Sequence, residues 1–232
     1  MKSTKTILAA ALGLVMGAIT AQTAEIQITS FPYNISVPGT YVLTSNLSAN
    51  VRGWFPITVN SAVAGPIIID LKGFTLSVTA DNIGAIYIEN NSTASSITIR
   101  NGTIQGSTNG ILTDYGVVVN EDIQNGIPTT NYVSNIKIEK ITFGNFYTAV
   151  ELNQTNSSSI TDCSFTSTPE SEMIGIVDIA SQGGNTYKND SFDGNEDQEL
   201  VVEGAHTYPF AAGPVVLKNC GFEAAAKAKA KQ

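Results

Sequence analysis

The stretch Ser95–Gly106, SSITIRNGTIQG, decides the fold because its apolar spacing recurs along the chain. Ile99 and Ile104 stand five positions apart around an Arg-Asn-Gly turn. Six copies of this spacing start at positions 71, 99, 138, 160, 187 and 217. The stretch is therefore one copy of an internal repeat, not a single hairpin. The other copies are Leu71–Leu76, Ile138–Phe143, Ile160–Phe165, Tyr187–Phe192 and Leu217–Phe222.

A second short apolar stretch follows every copy except the last. A repeat with short strands, polar turns and no helical pattern cannot bury an apolar face alone, so it must stack on its neighbours. The sequence therefore predicts an all-β solenoid in which equivalent residues of successive repeats lie side by side. The second stretches are assigned to Ile86/Ile88, Ile111, Val150/Leu152, Ile174/Ile176 and Leu200/Val202.

The turn residues carry a resemblance to a known family. Asn101, Asn189 and Asn219 share one register, with Asp162 at the same place, similar to the asparagine ladders of parallel β-helices. Over residues 64–223 the sequence resembles the pectate-lyase-like superfamily of right-handed parallel β-helix repeat proteins. The resemblance implies a single-stranded right-handed parallel β-helix of about six coils. It implies no particular activity, because related folds host lyases, hydrolases, tail-spikes and proteins without a known reaction.

Three further segments complete the expected organisation. Residues 1–24 carry Lys2 and Lys5, then an apolar run over positions 7–19, then small residues, which is the pattern of a secretory signal peptide. The apolar run is too short to span a bilayer, so we expect a secreted, periplasmic or cell-surface protein without membrane insertion. Residues 25–63 are predicted to form an N-terminal cap, and residues 224–232 an Ala/Lys tail.

The charge of the chain limits its partners. It contains 20 Asp and Glu against 12 Lys and Arg, and its net charge is −8. Residues 25–226 hold all 20 acids and only seven of the cations, which gives this body a net charge of −13. An acidic body repels phosphate backbones and anionic lipids, so nucleic acid and membrane surfaces are not expected partners.

Strand parity places Arg100, Lys137 and Glu139 on one outward face, with Arg100 beside Glu139. Because the protein is acidic overall, a local group of cations suggests a binding site for an acidic sugar. In similar lyases, an Arg or Lys takes the proton alpha to a uronate carboxylate, usually with calcium neutralising the acid. The alternative is an ordinary surface ion pair between Arg100 and Glu139.

Two other features offer binding groups. The long interval between the second and third copies holds an apparent insertion, residues 113–132, which supplies Asp114 and Tyr115 and is expected to overhang the Arg100 region. It is predicted to be either a binding loop or a shielding hairpin. Trp54, with Phe55, is expected to cover the end of the solenoid, and its alternative role is a sugar-stacking platform.

One acidic stretch has the composition of a metal site. Residues 189–204 include Asp193, Glu196 and Asp197, whose oxygens suit calcium, but the spacing matches no EF-hand or calcium β-roll repeat. No cofactor is expected otherwise. Galacturonase-like relatives carry a Gly-His-Gly motif and paired aspartates, whereas this chain has one histidine, His206, and no Asp-Asp pair.

Two functions from different classes remain open. The first is a non-catalytic solenoid that binds a polysaccharide or cell-surface glycan, or serves as a scaffold. The second is a small polysaccharide lyase that acts on acidic glycans by β-elimination at Arg100, Lys137 and Glu139.

The repeat register also makes two structural predictions. Phe143, Phe165, Phe192 and Phe222 should form one aromatic column inside the solenoid. The two cysteines, Cys163 and Cys220, occupy equivalent positions two strand spacings apart, about 9–10 Å. This separation exceeds what a disulfide tolerates, so both should be reduced.

Overall fold

The computed structural model describes residues 24–50, 54–79, 83–89, 94–107, 113–119, 133–166, 174–179, 184–193, 198–203 and 216–218, with the backbone alone at 193, 198–203 and 216–218. Strands and turns make up this described part, without a helix, so the all-β prediction is confirmed. It likewise holds no helix long and apolar enough to cross a membrane. Residues 1–23 of the predicted signal peptide and the predicted tail lie outside it.

The strands are β1 (Glu25–Ile28), β2 (Tyr33–Ile35), β3 (Gly39–Leu43), β4 (Leu47–Ala49), β5 (Ile57–Val59), β6 (Pro66–Asp70), β7 (Thr75–Val78), β8 (Gly84–Ile88), β9 (Ser96–Gln105), β10 (Thr113–Val119), β11 (Val133–Ser134), β12 (Ile136–Gly144), β13 (Phe146–Asn153), β14 (Thr155–Asn156), β15 (Ser159–Thr161), β16 (Ser164–Thr166), β17 (Ile174–Ile179), β18 (Thr186–Lys188), β19 (Ser191–Asp193), β20 (Gln198–Glu203) and β21 (Val216–Lys218).

The strands form parallel sheets between which the chain alternates. The first sheet runs β1-β3-β6-β9-β12-β15-β18-β21, with β4, β7, β16 and β19 paired beside this path. The second sheet runs β2-β5-β8-β10-β13-β17-β20, and β11 pairs with β14 in a small third sheet. Inward side chains of both large sheets share one hydrophobic core. This arrangement is compatible with a parallel β-helix.

The register of the repeats is largely as predicted. Ile138 pairs with Ile99, and the same column continues through Ile160, Tyr187 and Leu217. The rings of Phe143 and Phe165 stack with centroids 5.3 Å apart, and those of Phe165 and Phe192 with centroids 4.7 Å apart. The aromatic column is therefore confirmed over three members, and Phe222 lies outside the described residues.

The first copy of the repeat begins two positions earlier than predicted. Ile69, not Leu71, pairs with Ile99, although Leu76 pairs with Ile104 as expected. The turn that follows Asp70 is therefore longer than the turn of β9, and it includes Lys72 (φ 53°) and Gly73 (φ 83°). Asp70, not Lys72, consequently lies opposite Arg100.

Two of the second apolar stretches also differ from the prediction. Val117 and Val119 pair with Ile86 and Ile88, in the role predicted for Ile111, which lies outside the described residues. In the next repeats Leu152 pairs with Asp178, so the inward pair is Ile176/Asp178 and not Ile174/Ile176. Asp178 is buried and accepts hydrogen bonds from Tyr187 Oη (2.6 Å) and Asn185 Nδ2 (3.0 Å).

The first part of the predicted insertion is a regular strand. Residues 113–119 form β10, which pairs with β8 on one side and β13 on the other. Val117, Val118 and Val119 are fully buried. This part does not overhang the first sheet, because it belongs to the second one, and residues 120–132 lie outside the described part.

The N-terminal segment joins the same sheets. Within the predicted cap, β1 pairs with β3, and β2 pairs with β5, all in parallel. Trp54 is 70% exposed, so it does not pack in the manner expected of a covering residue. Phe55 instead stacks on Tyr87, with centroids 5.1 Å apart.

A left-handed turn recurs at one position of successive repeats. Asn101, Lys140, Asp162 and Asn189 have φ between 56° and 59°, a region that Asn and Asp enter more readily than most residues, and Lys140 is the member that is neither. Asn189 Nδ2 donates to Asp162 Oδ1 at 2.9 Å, as expected of a polar ladder. Next to this turn, Cys163 is a free, buried thiol, and burial raises its pKa to about 12. Asn219 and Cys220 lie outside the described residues.

Candidate functional site

The candidate residues fall into two groups on different sheets. Arg100 lies on β9, and Lys137 and Glu139 lie on β12, all in the first sheet. Asp114 and Tyr115 lie on β10 of the second sheet. Trp54 precedes β5 of the same sheet. The structure therefore separates Arg100 from Asp114 and Tyr115, which were expected from the sequence to overhang it.

On the first sheet, Arg100 forms its ion pair with Asp70, not with Glu139. Arg100 Nε donates to Asp70 Oδ2 at 2.9 Å, whereas Glu139 is its neighbour in register and makes no ion pair with it. The longer turn after Asp70 explains the error, because it brings that carboxylate into the column of Arg100.

Asp70 is nearly inaccessible to solvent and well supplied with donors. Burial alone raises its pKa, but the Lys72 N–H (2.9 Å), the Arg100 guanidinium and the Asn101 amide (3.3 Å) donate to it and bring the pKa below its usual value. The ionised carboxylate thus holds Arg100 in one orientation. Only Nε of Arg100 is engaged by described residues, so its outer nitrogens can bind an anion.

On the second sheet, three exposed side chains lie at one edge. Asp114 and Tyr147 lie beside each other on β10 and β13, since Thr113 pairs with Phe146 and Tyr115 with Thr148. Both residues are close to the N-terminal ends of their strands. Trp54 shortly precedes β5, at the same end. We call Trp54, Asp114 and Tyr147 the aromatic edge.

Close packing at Gly84 links Trp54 to the rest of the edge. A Cβ at Gly84 would approach Phe55 Cε1 within 2.5 Å and the Tyr115 carbonyl oxygen within 2.8 Å, so only glycine leaves room for both neighbours. Phe55 follows Trp54 directly, and Gly84 pairs with Tyr115. The chain at Trp54, β8 and β10 is therefore stacked in that order.

The aromatic edge displays unusually exposed rings. Among the described side chains, the large hydrophobic ones that are exposed are Val37 (53%), Trp54 (70%) and Tyr147 (52%). Both aromatic members of this set belong to the edge. From β5 to β13 there are three strand spacings, about 14 Å. Such a row can stack against the apolar faces of sugar rings while Asp114 accepts hydrogen bonds from hydroxyl groups.

Sequence reasoning named Trp54 and Asp114 but missed Tyr147. The missed signal is the strand FYTAVELN, in which Phe146 is buried and Tyr147 is exposed. Tyr115, which was named, is half-buried beside Gly84.

The part of the chain that the structure describes holds no ready-made metal site. Among its side chains, no group of three or more His, Cys, Asp or Glu could hold a metal ion. The proposed calcium ligands Glu196 and Asp197, and the side chain of Asp193, lie outside the described residues, so the calcium hypothesis stays a prediction.

Comparison with known proteins gives no family assignment. No protein-family model matches the chain, and no significant match occurs among curated proteins or solved structures.

Proposed function

We propose that this protein is an exported, non-catalytic right-handed parallel β-helix that binds a polysaccharide or cell-surface glycan at the aromatic edge. The six sequence repeats would form about six coils, extended at the N-terminal side by β1–β5. Export rests on the predicted signal peptide. No cofactor is required for this function.

The observation that carries the proposal is the exposure of Trp54 and Tyr147 at one edge of a rigid sheet, with Asp114 beside Tyr147. Displayed aromatic rings lose hydrophobic stabilisation that packing would give them, so a pair of them on one edge favours a binding role. Backbone pairing on both sides of β10 fixes their spacing before any ligand arrives. A preorganised surface loses little conformational entropy on binding.

Fluorescence tests the proposal directly, because Trp54 is the single tryptophan of the chain. Titration of the protein with a panel of polysaccharides should shift or quench this emission for at least one glycan. Trp54→Ala and Tyr147→Ala should each weaken co-sedimentation with that glycan at least about tenfold, corresponding to about 1.4 kcal/mol. Val37→Ala, which removes an exposed side chain elsewhere, is the matched control.

A lyase that acts on acidic glycans is the second candidate. The outer nitrogens of Arg100, oriented by Asp70, favour it because they could bind a uronate carboxylate. In that reaction a base removes the proton alpha to the carboxylate, and calcium could neutralise the acid. Unsaturated product formed with polyuronate, and abolished by Arg100→Ala, would establish this activity. Glycan retention without turnover supports the binding function.

A further inference from the structure

The Lys and Arg residues of the described part are confined to one side of the molecule. They all lie on strands of the first sheet or in its turns: Lys72, Arg100, Lys137, Lys140, Lys188 and Lys218. The seven strands of the second sheet contain no Lys or Arg. Their acidic residues are Asp114, Glu151, Asp178, Glu199 and Glu203.

This distribution of charged residues limits which sugars can bind at the aromatic edge. A uronate or sulfated sugar would bring its negative charge close to Asp114, and no cation of the second-sheet strands could compensate it; Arg52, two positions before Trp54, lies outside the described residues. Like charges at such a distance repel, and the net charge of −8 adds to the repulsion. Hydroxyl groups, in contrast, can donate to the Asp114 carboxylate without that electrostatic cost.

We infer that the aromatic edge binds an uncharged, extended polysaccharide that runs along the stack, across β5, β8, β10 and β13. The inference rests on the proposed function and specifies its ligand. Because the outer rings are separated by about three strand spacings, or about 14 Å, a single sugar ring cannot touch both of them. The ligand must therefore span several sugar units.

The direction of the chain follows from the same geometry. Trp54, just before β5, and Tyr147, near the start of β13, lie at the same end of the stacked strands, so the line that joins them runs across the strands. An oligosaccharide lying parallel to one strand could contact one ring only. Affinity should consequently rise with oligosaccharide length until both rings are covered, and then level off.

The test is a Trp54 fluorescence titration with neutral gluco-, xylo- and manno-oligosaccharides of increasing length, and with oligogalacturonates of matching length at the same ionic strength. Binding of at least one neutral series should strengthen with length, and Tyr147→Ala should lower the affinity for its longer members at least about tenfold while hardly affecting the disaccharide. Asp114→Asn should improve the binding of oligogalacturonate relative to the neutral series. Lys188→Ala, which removes an exposed cation of the first sheet, should change neither.

The outcomes separate this inference from the function on which it rests. Preferential binding of oligogalacturonate, or of a cationic chitosan oligosaccharide used as a third arm, would contradict the inference that the ligand is uncharged. The proposal of glycan binding would still stand. An affinity for the neutral series that does not depend on length would overturn the orientation along the stack. The absence of a response to every glycan, in fluorescence and in co-sedimentation, would overturn both proposals.

Discussion

Asp70, and not Glu139, is the ion-pair partner of Arg100. Arg100 could be recognised from the sequence as an outward cation next to Glu139, and the structure confirms that register. Its ion-pair partner could not be recognised, because the length of the turn at Leu71–Gly73 decides whether Asp70 or Lys72 lies opposite it. A repeat pattern predicts which residues recur, but it does not count the residues inside each turn.

The Asp70–Arg100 pair should be worth more than an exposed salt bridge. Arg100→Ala removes a donor from a carboxylate that is only 4% exposed, so we expect a loss of about 1–3 kcal/mol in the free energy of unfolding. Lys137→Ala, an exposed cation on the next strand, should change it by less than about 0.5 kcal/mol. Denaturant titrations of the two variants measure both values. Equal effects would show that Asp70 does not depend on Arg100.

Asp190 should make stability depend on pH in the neutral range. Burial, with a smaller contribution from Asp162, raises the pKa of Asp190 to about 7, even though the N–H groups of Cys163 (2.9 Å) and Lys188 (3.1 Å) donate to it and oppose the increase. Because this value exceeds the unfolded value of about 3.9, the folded state binds the proton more tightly. The free energy of unfolding should therefore fall as pH rises from about 4 to about 7 and remain at the lower level above that.

Asp190→Asn tests this dependence because it removes the titrating group and keeps an amide oxygen that can accept from Cys163. Thermal unfolding between pH 5 and pH 8 should show a smaller decrease in Tm for this variant than for the unmodified protein. Asp114→Asn removes an exposed carboxylate and should leave the decrease unchanged. Identical pH profiles for the Asp190 variant and the unmodified protein would contradict the assignment.

At the scale of single elements, the phenylalanine column holds the short strands β16 and β19 in register with β12. The sequence predicted this column because each of the last four copies carries a phenylalanine at the same distance from its first apolar residue. Phe165 lies in the middle, stacked on Phe143 and Phe192. The rings therefore couple three successive layers of the first sheet.

Phe165→Ala should be strongly destabilising. It removes a buried ring that contacts two others, so the free energy of unfolding should fall by about 3–5 kcal/mol in a denaturant titration. Tyr147→Ala removes an exposed ring and should cost less than about 0.5 kcal/mol. A loss below about 1 kcal/mol for Phe165→Ala would show that the column does not support the core.

Strand β10 gives a second test at this scale. The sequence left open whether residues 113–132 form a binding loop or a shielding hairpin, whereas the structure places Val117, Val118 and Val119 in a buried strand between β8 and β13. Deletion of residues 115–119 should therefore abolish cooperative thermal unfolding, followed by circular dichroism. Asp114→Asn, at the start of the same strand, should retain it. A cooperative transition in the deletion variant would show that β8 and β13 can pair without β10.

At the scale of the whole molecule, the repeats made the stacked parallel strands predictable from the sequence but gave no indication of the aromatic edge. The apolar spacing within each repeat indicates its register, so pairings between strands that are distant in the chain could be predicted from this local spacing. The aromatic edge has no such signature, because Trp54 precedes the repeats and Asp114 and Tyr147 come from two different repeats. Their proximity depends on where each second-sheet strand begins, and the incorrect prediction for Ile111 shows that local spacing does not determine these starts.

The shortest interval between copies has a consequence for how this molecule could change in length. Between Ile138 and Ile160 the chain passes through β12, β13 and β14 and returns to the same column. In stacked repeats each unit contacts only its neighbours. In a tandem duplication of the segment 138–159, each copy would therefore pair on both sides with strands of the same sequence pattern. The second copy of Phe143 would add one ring to the phenylalanine column. The duplication would also copy Tyr147, so a single genetic event could lengthen the row of exposed rings by one strand spacing without disturbing the rest of the protein.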